Sequence, residues 1–170
     1  MSRRVTMVLV LLALAAAILW WFSARGVSRS GHVMLEWRGS RSGEAVLPGR
    51  IAWCPITRLA TLEAVSNDTG LVITLLEVDT LTSGPHNAVL PDIRDQSPRP
   101  NAVAAMRWVV EGDTLIGFRS VSGVVDLTTG GGLASGSLNL RMGSPIGMDT
   151  LVLRGDFRAV PITASAVGCP

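Results

Sequence analysis

The chain has no lysine and no tyrosine among its 170 residues, and only two histidines and two cysteines. Without lysine there is no amine for a Schiff base, and without tyrosine no phenolic general acid. Two histidines leave little material for a Ser–His or Cys–His relay, and His32 stands close to the amino-terminal apolar segment. The nearest approach to a nucleophile-elbow sequence, Gly39-Ser40-Arg41-Ser42-Gly43, carries Arg where the nucleophilic Ser belongs. Charged residues make up 16% of the chain and the net charge is +2, too weak a field to hold nucleic acid. The exclusive use of arginine as the basic residue reads as coding bias rather than chemistry. These shortages point away from an enzyme, from a bound cofactor or metal, and from a nucleic-acid partner.

Abundance lies in apolar residues, above all in the run VTMVLVLLALAAAILWWF from Val5 to Phe22. It holds no charge and one polar side chain, Thr6. As an α-helix it would reach about 27 Å, close to the hydrocarbon thickness of a bilayer. Arg3 and Arg4 precede it, and Trp20 and Trp21 stand at its far end, where indole rings favour the membrane interface. The run exceeds the usual apolar length of a cleaved signal peptide, and Phe22 fits poorly before a cut after Ala24. We therefore expect an uncleaved transmembrane anchor over residues 1–24. It contains no histidine to ligate a haem or chlorophyll and no ionisable group to relay protons. Ala13 and Ala17 form a small-xxx-small pair that would let a neighbouring helix approach closely, although alanine also serves as plain apolar filler.

Arg3 and Arg4 favour a cytoplasmic amino terminus, a bias weakened by Arg25 and Arg29 on the other side. Cys54 and Cys169 favour the same orientation. One lies near the start of the folded region and the other at its end, a placement that suits a disulfide closing a β domain in an oxidising compartment. Closing so long a loop contributes about 4–5 kcal/mol on the chain-entropy account. Two unpaired buried thiols are the competing reading.

After a short polar linker, residues 25–31, strand patterns dominate residues 32–170. His32 to Arg38 alternates Val33, Leu35 and Trp37 with polar neighbours, a period of two. Further strands are expected over 45–53, 58–65, 71–78, 103–111, 114–121, 123–128, 135–142 and 150–159. Turn signals such as Asn67-Asp68-Thr69-Gly70 and Gly130-Gly131-Gly132 separate them. Residues around Met106-Arg107-Trp108 also admit a short helix. The motif Ser122-Gly123-Val124-Val125 is echoed by Ser135-Gly136-Ser137-Leu138 and, more loosely, by Arg154-Gly155-Asp156-Phe157, as successive strands with close backbone contacts would require. Strands at this spacing imply a mainly β domain, an antiparallel sandwich or barrel. Trp37, Trp53 and Trp108 fall in strand patterns where core packing is the first expectation.

One long irregular segment is expected, residues 83–101, which holds four of the nine prolines. Long loops within compact domains often meet partners. Its exposed-type residues Pro85, His86, Asp92, Arg94, Asp95 and Arg99 are the candidates for such contact. His86, Asp92 and Asp95 match no metal-ligand spacing and read as solvated side chains.

Residues 32–170 resemble a class of poorly characterised bacterial extracytoplasmic β proteins, many of them lipoproteins. The resemblance rests on Trp53-Cys54-Pro55 near the start, on the Ser-Gly strands, and on Gly155-Asp156-Phe157 followed by the terminal Cys169. It implies a β fold and export, and no particular activity; this chain differs in using a helix rather than a lipid as anchor. The expectation is a single-pass protein of a bacterial inner membrane with a periplasmic β domain. It would serve without catalysis, stabilising or clamping other membrane-protein subunits of a respiratory or photosynthetic type of complex. The alternative is a free-standing envelope-anchored module that binds lipid or glycan.

Overall fold

Alternating apolar and polar side chains let one sheet curl until its two edges meet. The computed structural model describes residues 31–76, 78, 80–89, 101–110, 114–164 and 169. The expected anchor, with Arg3, Arg4, Ala13, Ala17, Trp20 and Trp21, lies outside the described residues, as does the expected linker except Gly31, which belongs to the first strand instead. No helix among the described residues is long and apolar enough to cross a membrane.

Among the described residues nine strands form the sheet: β1 (Gly31–Gly39), β2 (Gly43–Cys54), β3 (Leu59–Ser66), β4 (Thr69–Leu76), β5 (Gly84–Val89), β6 (Asn101–Val110), β7 (Thr114–Gly130), β8 (Leu133–Gly143) and β9 (Thr150–Ala164). They close into a barrel in the order β1-β2-β3-β4-β6-β5-β7-β8-β9. Of the two architectures expected, the sandwich gives way to the barrel, because β9 pairs with β1 from His32↔Arg158 to Gly39↔Leu151. Among the described strands closure leaves no free edge to invite pairing with other chains. Most neighbours are antiparallel, but β2 meets β9 in parallel at Ile51↔Ile162, and β5 meets β6 in parallel at Asn87↔Asn101.

Two strand expectations are corrected. The segments 114–121 and 123–128 are one long strand, β7, whose pairing with β8 shifts between Ser120 and Ser122. Such a bulge lets a long strand bend around a barrel without ending. The irregular segment 83–101 contains β5, which the sequence hid behind Pro85, Asn87 and a length of six residues. Met106-Arg107-Trp108 lies in a strand, not a helix.

The three Ser-Gly and Arg-Gly echoes are consecutive antiparallel strands, as expected. Their glycines share a steric cause. A Cβ at Gly136 would collide with the Asp126 carbonyl and the Phe157 ring, and one at Gly155 would stand 2.5 Å from the Met34 carbonyl oxygen. Close strand contact at these points excludes any side chain.

Inward positions carry the core: Val33 and Leu35 of β1, Leu62 of β3, Ile73 of β4, Met106 of β6, Leu140 of β8 and Phe157 of β9 are all buried. Trp37 from one wall meets Trp108 from the opposite wall with ring centroids 5.4 Å apart, and Trp108 stacks on Phe118 at 5.4 Å with planes 3° apart. This aromatic plug fills the end of the lumen farthest from Gly31. Gly43, paired with Trp37, leaves room for its indole. At the other end Trp53 donates through Nε1 to the Val78 carbonyl at 3.3 Å, and Val78 N–H donates to the Arg58 carbonyl at 2.8 Å. Cys54 and Cys169 form a disulfide with Cα atoms 5.6 Å apart, tying the end of the chain to the end of β2.

Candidate interaction surface

A barrel of this strand number leaves an interior that side chains can fill. Here large residues occupy it, including Trp37, Trp108, Phe118, Phe157, Met106 and Met142. All three tryptophans considered for a ligand platform are committed to this packing: Trp37 and Trp108 are buried, and Trp53 packs against the core from its partly covered position. What the domain presents to other molecules is therefore its outer wall and its rims.

The residues singled out for partner contact divide. Pro85 is exposed on β5, while His86, its neighbour, points inward and is 5% exposed. Asp92, Arg94, Asp95 and Arg99 lie outside the described residues. Burial pushes the His86 imidazole below its usual value of 6.5, and the Asp126 carboxylate partly counters the shift. Its Nδ1 is buried with no hydrogen-bond partner among the described residues. Burial within the wall thus disfavours the charged form of the ring. Among the described residues no three His, Cys, Asp or Glu side chains gather as metal ligands do.

On the outside, β1, β2 and β9 form a shallow depression of about 570 Å³. Met34 and Val46, an outward-facing pair, make an apolar floor, and Glu36, Glu44, Arg154 and Asp156 surround it. Register sets this arrangement: Glu36 stands directly opposite Glu44 on one side and Arg154 on the other. Like charges in direct opposition are unfavourable. Arg38 offsets this one by bonding Glu36 through Nε at 2.6 Å. The depression is open to water, and its carboxylates belong to a mixed-charge surface rather than to an enclosed acid–base pair. Sequence reasoning did not identify it, because its residues come from three strands far apart in the chain and share only their outward position.

Comparison with protein-family models, with curated proteins and with solved structures finds no match for the chain.

Proposed function

We propose that this chain is a non-enzymatic, single-pass subunit of a larger bacterial inner-membrane complex of respiratory or photosynthetic type. Residues 5–22 would fasten it to the bilayer with the amino terminus in the cytoplasm, and the barrel would lie in the periplasm and clamp the exposed face of its neighbours. The observation that carries this reading is the filled barrel. A lumen occupied by Trp37, Trp108, Phe118 and Phe157 supports a rigid block that works through its outer surface. The Cys54–Cys169 disulfide supports export to an oxidising compartment. Likeness to extracytoplasmic β proteins of bacteria remains part of the proposal and agrees with both points.

A second reading, an envelope-anchored module for lipid or glycan, draws on the depression over Met34 and Val46, whose apolar floor and charged rim suit an amphipathic ligand. Mild-detergent extraction of native membranes, native-gel sizing and mass spectrometry of the band separate the two. Co-migration with a fixed set of subunits is expected. Migration of the chain alone would overturn the subunit reading and favour the binding module.

A further inference from the structure

The barrel does not keep one strand count along its length. Toward the Trp37–Trp108–Phe118 end, β6 pairs with β7 directly, from Val110↔Thr114 to Ala105↔Arg119, and eight of the described strands surround the lumen. Beyond Ala105, β5 enters between them and makes nine. It is held unequally. Six of its residues pair with β7, from Gly84↔Leu127 to Val89↔Ser122, whereas Asn87 and Ala88 alone among the described residues pair with β6. Its sequence, GPHNAV, contributes little, since glycine, proline and asparagine are poor strand formers. It also carries His86, whose buried Nδ1 has no hydrogen-bond partner among the described residues. Burying such an atom opposes the strand's place in the wall.

The rows on either side of β5 are already matched to each other. Ala88 stands between Ala102 of β6 and Gly123 of β7, and Asn87 stands between Asn101 and Val124. Without β5, Ala102 would face Gly123 and Asn101 would face Val124. This register differs by one residue from that of Ala105↔Arg119, and the bulge between Ser120 and Ser122 supplies that residue. Each side chain of β6 and β7 therefore keeps its face, inward or outward, which a one-residue slip would otherwise reverse. The inward row across the wedge, Ala102, Ala88 and Gly123, holds nothing larger than a methyl group, so no bulky side chain stands between the two walls. Ser120 serves both arrangements. Its hydroxyl accepts the Ala104 N–H from β6 at 2.9 Å, and only its 3.4 Å bond to the Val89 carbonyl depends on β5.

We infer that β5 is a displaceable wedge, and that the domain has a second closed state in which β6 and β7 pair directly from Asn101 onward and eight strands complete the barrel. This goes beyond the subunit reading and does not depend on it. Direct β6–β7 pairing regains ladder bonds that the departure of β5 breaks. What is lost is the burial of His86, Ala88 and Val89 and the six pairs with β7. The eight-stranded state is thus the minor one, reached by a local opening that falls short of global unfolding. A strand that merely frays leaves its two neighbours apart; here the neighbours close behind it.

The test traps the eight-stranded state in the full-length, oxidised chain. Asn101→Cys with Val124→Cys puts two thiols on strands that β5 separates, two spacings or about 10 Å apart. That exceeds the ~7 Å between Cα atoms that a disulfide can span. In the eight-stranded state the two positions are neighbours. Expected under mild oxidant is a new bridge between positions 101 and 124, found by peptide mapping with Cys54–Cys169 intact. Glu63→Cys with Ala105→Cys, two spacings apart across β4, is the control and should stay reduced. Hydrogen exchange of the unsubstituted chain is the second measurement. The Ala104 N–H points into the wedge, and Ala102, two residues away, shares its side. Amides of β5 should exchange at least about tenfold faster than those of β8, while Ala102 and Ala104 stay protected with β8. Thiols at 101 and 124 that stay reduced, or a control pair that closes as fast, would overturn the inference. Exchange of β5, Ala102 and Ala104 together in one step would also overturn it, and this measurement decides the matter if the cysteine variants fail to fold.

Discussion

The Ser120 hydroxyl accepts the Ala104 N–H at 2.9 Å. It also lies 3.4 Å from the Val89 carbonyl, to which it donates. This side chain closes the fork where β5 is wedged between β6 and β7. Above the fork β6 pairs with β7 directly, ending at Ala105↔Arg119; below it β7 pairs with β5 from Val89↔Ser122 downward. Ser120 is fully buried, so water has no access to replace it.

Ser120→Ala should therefore destabilise the domain by about 1–3 kcal/mol, the range for leaving a buried donor unsatisfied. Urea denaturation of the purified, oxidised chain checks this. A change confined to a few tenths of a kcal/mol would show that the fork closes by backbone pairing alone.

Trp108 bridges Trp37 and Phe118 at the far end of the lumen. Trp108→Ala should cost about 3–5 kcal/mol, as for other large buried aromatics. Trp108→Phe should recover part of it. Both are read from denaturation midpoints, with intrinsic tryptophan fluorescence as a second probe.

The Cys54–Cys169 bond joins residues 115 positions apart. The paired substitution Cys54→Ser with Cys169→Ser should lower stability by up to about 4–5 kcal/mol, on the view that the bond mainly restricts the unfolded chain. Removing the exposed Arg50–Glu63 pair should change stability by less than about 1 kcal/mol. The contrast between the two variants is the test.

His86 makes stability depend on pH. Its folded value lies below the usual 6.5, chiefly through burial, so the unfolded chain takes up a proton first as pH falls. The stability it contributes is complete above about pH 6.5 and declines as pH drops toward the lower folded value. Asp126→Asn removes the group that opposes the shift and should steepen the decline. His86→Leu should flatten it. Denaturation midpoints measured from pH 8 down to about pH 5 decide the matter, and a His86→Leu profile parallel to that of the original chain would contradict the assignment.

Period-two alternation made β1 readable from residues 32–38, and the glycine-rich turn signals located the β3–β4 and β7–β8 hairpins. Gly131 and Gly132 take φ of 59° and 75°, backbone angles that suit a tight two-residue hairpin. The pairing of Cys54 with Cys169 was also legible from position. β5 was not, because six residues containing proline and asparagine carry little strand propensity, and its place is fixed by the fork at Ser120 rather than by its own sequence. The bulge that keeps β7 continuous was hidden for a related reason: Ser122-Gly123 reads as a break, whereas Gly123, at φ 132°, serves as a point of close backbone approach to Asn139. The outer surfaces were illegible from spacing, since barrel closure decides which distant strands share a wall.

Mass measurement of the particle that contains the chain tests the central claim most directly. The full-length chain would be excised from native membranes with a disc-forming polymer and weighed by single-particle mass photometry. The account predicts one species heavier than the 17.9 kDa chain and its lipid disc by a fixed set of additional subunits. Discs that carry the chain alone would contradict it.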